Sequence, residues 1–154
     1  MSNMLFYCKK LSYANISNFD TQNVVYMNDL FHGCSSLASV DISNFNVKNV
    51  VYIYSLSQYC SSLTHAKLTN FNSGIITHIN SLFQGCSSLT SVDLSKFNTE
   101  KIISISNLFD GCKSLTSVDL SKFETGKVQF MIDIFNSLSY LNLFPIIIFS
   151  TLGK

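Results

Sequence analysis

The chain has little charge and almost no proline. Of its 154 residues only 12% are charged, one is a proline and six are glycines. Ten basic and nine acidic residues leave a net charge of +1 and no basic stripe, so nucleic acid is not an expected partner. The scarcity of proline and glycine argues against linkers and a second domain. Because 47% of the residues are hydrophobic, the composition predicts a folded chain rather than a disordered one.

The chain also lacks a recognisable segment that would direct it to or across a membrane. The first ten residues, MSNMLFYCKK, place the lysines after the apolar residues, which is not the order of a secretion signal. The most apolar stretch, 141–152, is shorter than the roughly 20 residues that cross a bilayer, and it contains Pro145. We therefore expect no export signal and no transmembrane segment, and the residues themselves leave the compartment unknown.

What the chain does contain is a repeat. Five cysteines follow one another at a constant spacing, and the segments that begin at them align without a gap; they are Cys8, Cys34, Cys60, Cys86 and Cys112. This 26-residue period predicts a single repeat domain over 1–154. It comprises a partial first repeat (1–7), repeats 1 to 5 (8–33, 34–59, 60–85, 86–111 and 112–137) and a degenerate C-terminal repeat or cap (138–154).

Two hydrophobic patterns follow one another inside each repeat. The alternation in SVDIS, with Val40 and Ile42 facing inward, predicts a short strand, and five such positions would stack into one parallel sheet. Further on, apolar residues spaced three, three and one apart predict a short helix; they are Ile102, Ile105, Leu108 and Phe109. The predicted fold class is therefore α/β: a leucine-rich-repeat-like solenoid of 26-residue strand-turn-helix repeats with one parallel β-sheet.

The repeat signature resembles a known family. The run L-x-x-V-x-L-x-x-F matches the leucine-rich-repeat template, with phenylalanine where asparagine or cysteine is usual. The segments MNDLFHGCSSLASVDISNFNV and INSLFQGCSSLTSVDLSKFNT resemble the BspA-like leucine-rich-repeat surface proteins, also called DUF285. The resemblance covers residues 1–137. It implies a curved or gently twisted solenoid at a microbial or protist cell surface that serves adhesion and protein binding, and it implies no enzymatic activity.

Stacking would turn each repeat position into a column of side chains. Zinc needs its ligands gathered around one point, and a disulfide needs a particular geometry, so a line of five thiols suits neither well. We favour a structural column in which all five cysteines are buried and unbonded. A second column is more typical of a core spine than of a cofactor platform, and it consists of Phe19, Phe45, Phe71, Phe97 and Phe123. No cofactor and no metal are expected.

The outward face of the predicted sheet is the candidate binding surface, because its residues are not needed for packing. Asp93 and Asp119 would lie side by side there, a repulsive arrangement that calcium or a basic partner would relieve. Alternatively, solvent or hydrogen bonds from neighbouring serines would accommodate both carboxylates. The candidate binding residues are Tyr13, Asn15, Asp41, His65, Lys67, Asp93 and Asp119.

Nothing in the sequence indicates catalysis. His32, His65 and His78 occupy three different repeat positions, and none lies near a nucleophile motif. The leading hypothesis is a non-enzymatic scaffold that binds a protein or glycan and serves adhesion. The alternative is a structural protein that associates with copies of itself into oligomers or filaments, through open sheet edges and the apolar run 145–149. A third hypothesis is that the chain is one segment of a longer repeat protein.

Overall fold

The computed structural model describes residues 1–68, 71–72 and 74–138. Within them the repeats stack, and their strands pair in parallel in the order of the sequence. The strands are β1 (Ser39–Asp41), β2 (His65–Lys67), β3 (Ser91–Asp93) and β4 (Ser117–Val118). Val40 pairs with Ala66, and Ala66 with Val92, so the register follows the 26-residue period. The segment around Tyr13, the first of the five predicted strand positions, is not a strand.

The predicted helices are absent. The described residues contain no helix, so the α/β class and the strand-turn-helix repeat are wrong. In repeat 4, alternate amide N–H groups donate to carbonyl oxygens of the next repeat: Ile105 to Phe130 at 3.0 Å and Asn107 to Ile132 at 2.8 Å. The amides between them close tight turns, as from Leu108 to Ile105. A backbone whose amides bond to the neighbouring repeat has none left for the carbonyl four residues back, which an α-helix requires.

Left-handed residues interrupt the same segments. Two positions, four residues apart, have positive φ in each repeat, as at Asn107 (56°) and Gly111 (72°) in repeat 4. Every residue of an α-helix is right-handed, so this backbone turns at each of these positions instead of winding. Asparagine, aspartate and glycine tolerate the left-handed conformation better than most residues.

The core lies inside the stack and is continuous from repeat to repeat. Val40 and Ile42 are buried, as predicted for the inward face of a strand. The apolar stripe that suggested a helix is buried too, which shows that the pattern located the core correctly but not the element; it consists of Ile102, Ile105, Leu108 and Phe109. A second parallel ladder joins the repeats through single bridges along Tyr26, Tyr52, His78, Ser104 and Phe130.

Hydroxyl groups of the C-S-S-L-T signature tie neighbouring repeats together. The Thr64 hydroxyl donates to the Ala38 carbonyl oxygen at 3.0 Å, and the Thr90 hydroxyl to that of Thr64 at 3.3 Å. The Ser87 hydroxyl reaches the Ser61 carbonyl in the same way. These polar side chains are shared by the repeats because each one satisfies a backbone acceptor of the repeat before it.

Two sequence predictions concern the C-terminal part of the chain. From residue 139 onward, the predicted degenerate repeat or cap lies outside the described residues, as does the apolar run 145–149. In the part of the chain that is described, no helix has the length and apolar character that crossing a membrane demands.

Candidate functional site

The outward residues of β1, β2 and β3 form a shallow, open hollow of about 390 Å³. Parallel pairing places Asp41 beside Lys67 and Lys67 beside Asp93. His65 lies two residues before Lys67 on the same strand, and both side chains are exposed. The structure thus brings four of the seven predicted binding residues together. We call this surface the strand face; it comprises Ser39, Asp41, His65, Lys67, Ser91 and Asp93.

Charges of alternating sign follow one another across the strand face. The Lys67 ammonium lies 3.4 Å from a carboxylate oxygen of Asp41, and both side chains are more than half exposed, at 57% and 56%. An ion pair this exposed adds little to stability. Within the described residues, Asp93 has no cation at ion-pair distance. The strand face therefore presents one paired and one unpaired carboxylate on either side of a lysine.

The aspartates of this column also end their strands. In each, Oδ1 accepts the amide N–H of the serine two residues on, which is an Asx-turn. Hydrogen bonds from these serines hold the pKa of all three carboxyl groups below its ordinary value of 3.8. The pairs are Asp41 with Ser43 (2.9 Å), Asp93 with Ser95 (2.9 Å) and Asp119 with Ser121 (2.8 Å). The sequence left open whether Asp93 and Asp119 are accommodated by a cation, a basic partner, solvent or neighbouring serines. The structure shows hydrogen bonds from the neighbouring serines.

The remaining candidate residues lie beside the strand face or beyond it. Tyr13 is 69% exposed and, together with Asn15, borders an adjacent hollow of about 280 Å³ that shares Ser39 and Asp41 with the strand face. The amide oxygen of Asn15 accepts both the N–H and the hydroxyl of Ser17. Asp119 is exposed just beyond β4 and lines neither hollow. Across the described residues, no group of three or more His, Cys, Asp and Glu side chains is placed to hold a metal ion.

The cysteine column is buried over four repeats. All five thiols are free, and Cys8 is exposed, so the prediction of burial is wrong for that residue. Each buried Sγ donates a hydrogen bond to a carbonyl oxygen 29 residues earlier in the stack; the pairs are Cys34 to Leu5 (2.9 Å), Cys60 to Phe31 (3.0 Å), Cys86 to Ser57 (3.0 Å) and Cys112 to Phe83 (3.1 Å). Burial raises the pKa of Cys34 to about 11 and of Cys60 and Cys112 to about 12. These thiols are protonated donors and not nucleophiles.

The phenylalanine column also lies in the core, except at its first member. Phe71 and Phe97 stack with ring centroids 5.6 Å apart and planes within 8°. Phe45 and Phe123 are buried with them. Phe19 is 39% exposed, so its assignment to the core is wrong. Phe19 lies in repeat 1, where the strand predicted just before it does not form.

Sequence reasoning missed an exposed aromatic surface on the second ladder. Tyr26 and Tyr52 are 55% and 37% exposed, and their rings are parallel within 1°, with centroids 5.2 Å apart. Beside them lies a slot of about 300 Å³, lined by Tyr52, Tyr54, His78 and Asn80. The signal in the sequence was the recurrence of tyrosine at the same position of two successive repeats. Assigning this segment to a helix concealed which side chains would share a face.

The comparisons with known proteins agree with the repeat signature. A family model described as DUF285, Mycoplasma protein of unknown function, matches residues 1–66 and 55–144. Searches of the curated proteins and of the solved structures found no match. Because the two family matches together cover most of the sequence, the chain belongs to the DUF285 family.

Proposed function

We propose that the protein is a non-enzymatic scaffold that binds a protein or glycan partner on the strand face and serves adhesion. The observation that carries this proposal is the exposed hollow across β1 to β3, where Asp41, Lys67 and Asp93 alternate in charge. Such a pattern favours a partner of complementary charge and fixes its register. A protein segment with a basic side chain over Asp93 and an acidic one over Lys67 fits this pattern best.

The residues at which repeats differ support the same surface. Repeat 3 has His65 and Lys67 where repeats 2 and 4 have serine and aspartate. Strand pairing does not require these two exchanges, because β3 and β4, which both have serine at the first position, also pair, through Ser91 with Ser117 and Val92 with Val118. Exposed side chains that the fold does not need are the ones free to serve recognition.

We also propose that the resemblance to BspA-like leucine-rich-repeat surface proteins is genuine, with a place at a cell surface. The burial of Leu37, Val40, Ile42 and Phe45 on one side of β1 and its flanks supports this proposal. These four residues are the L-x-x-V-x-L-x-x-F positions of the template, and they have the inward orientation that a leucine-rich repeat gives them.

The test is a charge reversal on the strand face. Wild type, Asp93→Lys and Lys67→Glu would be measured by biolayer interferometry against purified surface and matrix proteins and on a glycan array. We expect both variants to weaken the strongest interaction with a charged partner, protein or glycan, at least about tenfold, since each reverses a charge at the contact. Glu100→Lys, an exposed charge reversal away from the strand face, is the matched control and should bind normally. Unchanged binding by Asp93→Lys and Lys67→Glu would place the contact elsewhere.

A second candidate function is self-association, which one observation favours. The Leu30 carbonyl oxygen accepts the amide N–H of Leu5 at 3.0 Å, whereas Met4, its counterpart one repeat earlier, accepts no hydrogen bond from the described residues. The same is true of the carbonyls of Ser2 and Phe6. A row of free acceptors is an edge to which a second copy can add its amides. Light scattering coupled to size exclusion over a range of concentrations tests this candidate, and a strictly monomeric species would eliminate it.

A further inference from the structure

Two side-chain columns change from tyrosine to a smaller polar residue at the boundary between repeats 2 and 3. One repeat after Tyr52 the same position holds His78, and one repeat after Tyr54 it holds Asn80. The four side chains line the slot of about 300 Å³. The slot therefore exists because the next repeat does not fill the space that two further tyrosines would occupy. It shares no residue with the strand face.

One face of the Tyr52 ring is available to a ligand in this slot. Tyr26 covers the other face, with the rings parallel within 1° and their centroids 5.2 Å apart. Tyr26 belongs to the repeat before Tyr52 and the slot lies towards the repeat after it. A flat ring that enters the slot would continue the tyrosine stack. Stacking on an aromatic ring contributes binding free energy beyond that of burying apolar surface.

The rim of the slot offers hydrogen bonds that the protein does not use. His78 Nδ1 lies 2.8 Å from the Thr77 hydroxyl, while Nε2 has no partner among the described residues. The Asn80 amide donates to the Ser104 hydroxyl at 2.8 Å, but its Oδ1 is buried without a partner. Because that oxygen is buried, a ligand in the slot does not reach it, and His78 Nε2 is the group without a partner that is left to a ligand.

The slot has no charge to offer an ionic ligand. Its lining consists of two tyrosines, a histidine and an asparagine, with no lysine, arginine, aspartate or glutamate among the described residues that border it. Phosphates, sulfates and carboxylates are recognised in proteins chiefly by arginine and lysine. Nucleotides and acidic sugars therefore have no counterpart here.

From these features we propose that the slot binds a neutral pyranose residue of a glycan. A pyranose ring combines a face of C–H groups, which stacks on Tyr52, with a rim of hydroxyls that suits the Tyr54 hydroxyl and His78 Nε2. The slot is an open depression with a volume of about 300 Å³, which leaves room for one sugar ring on its surface. The protein then has a glycan site on the second ladder that is independent of the strand face.

Saturation-transfer NMR with simple sugars tests the proposal. The probes are the methyl glycosides of glucose, galactose, mannose and N-acetylglucosamine, with N-acetylneuraminic acid and N-acetyltyrosinamide as comparators. We expect at least one neutral sugar to bind with a dissociation constant on the order of 1 mM, as suits a ligand of this size. Absence of binding by every neutral sugar, or a preference for N-acetyltyrosinamide, would overturn the proposal, the latter in favour of a protein side chain as the occupant.

Variants then locate the bound sugar. Tyr52→Ala should weaken binding at least about tenfold by removing the stacking face, whereas Tyr52→Phe should keep it. His78→Tyr continues the tyrosine column into the slot and should abolish binding without lowering the unfolding temperature. Tyr13→Ala, a highly exposed tyrosine outside the slot, and Asp93→Lys on the strand face should bind sugar normally. If His78→Tyr binds as well as wild type, the slot is not the site, whatever the outcome at the strand face.

Discussion

Cys60 shows why a cysteine returns once in every repeat. Its Sγ lies 3.0 Å from the carbonyl oxygen of Phe31, 29 residues earlier, and its side chain is fully buried. The position needs a side chain that is small and largely apolar, yet able to donate one weak hydrogen bond, and a thiol meets all three conditions. Because stacking repeats the same environment, Cys34, Cys86 and Cys112 occupy it as well.

The burial of Cys60 predicts a loss of stability in alkali. Its pKa is about 12 in the folded chain against an ordinary value of 9.0. The stabilisation is therefore complete below about pH 9 and declines as the pH rises towards 12, because the unfolded chain releases the proton first. At about pH 10, wild type should lose on the order of 1 kcal/mol at this residue alone. Urea unfolding of wild type and Cys60→Ala at about pH 7.5 and 10 measures this loss as a smaller difference between them at pH 10. An equal difference at both pH values would contradict it.

Of two buried serines, one has an unpaired hydroxyl and the other a hydrogen-bonded one. We therefore expect their replacement by alanine to have opposite effects on stability. The Ser57 hydroxyl has no hydrogen-bond partner in its buried site, whereas the Ser104 hydroxyl, equally buried, accepts the Asn80 amide at 2.8 Å. Replacing Ser57 by alanine removes an unpaired polar group and should raise the free energy of unfolding by about 1 kcal/mol, while Ser104→Ala should lower it by about 1 kcal/mol. Thermal and urea unfolding measure both variants. Destabilisation by Ser57→Ala would mean that its hydroxyl is paired in solution.

At the scale of the elements, the sequence predicted strands better than it predicted the segments between them. The alternation around Val40 is a period-two signal, and the strand it predicted is present. The apolar spacing around Leu108 was equally consistent with a helix and with a run of turns whose amides bond to the next repeat. Backbone hydrogen bonds that run from one repeat to the next do not produce a short periodicity in the sequence, so the sequence pattern could not reveal them. Asp29 and Asn107, both left-handed, were the available warning, because such residues favour that conformation.

We expect that not every glycine of the turn segments can be replaced by alanine without a loss of stability. Gly85 has φ of 73°, and a Cβ built there would collide with the ring of Tyr59, the corresponding residue of the preceding repeat. Gly85→Ala should lower the free energy of unfolding by about 1–3 kcal/mol, through left-handed strain and this collision. Gly126→Ala is the matched control, because a Cβ there meets nothing within 4 Å. Equal unfolding midpoints for the two variants in urea would show that the turn segment adapts without cost.

At the scale of the whole molecule, residues that recur in several repeats and residues that occur only once at their repeat position have separate tasks. Thr64 and Thr90, which recur, donate hydrogen bonds to the preceding repeat. Lys67 and His78, which do not recur, line the two hollows that carry the proposals. The strand face could be anticipated because it follows from the strand pattern. The slot could not, because the columns that form it lie in the segments whose backbone the sequence misassigned.

A stack in constant register predicts that one whole repeat can be removed. Deleting 86–111 joins Gly85 to Cys112, the same pair of residue types that meets at Gly111 and Cys112. It also places Phe83 next to Phe135, both of which now stack on Phe109 at 5.8 Å. Stability in such arrays is a sum over repeats and their interfaces, so the shortened chain should unfold cooperatively at a lower temperature. Circular dichroism with thermal unfolding measures this.

The control is a deletion of 86–98, which is half a repeat. It removes residues from the same repeat but breaks the 26-residue register, and that chain should not fold. Equal behaviour of the two deletions would show that the 26-residue register does not hold the stack together.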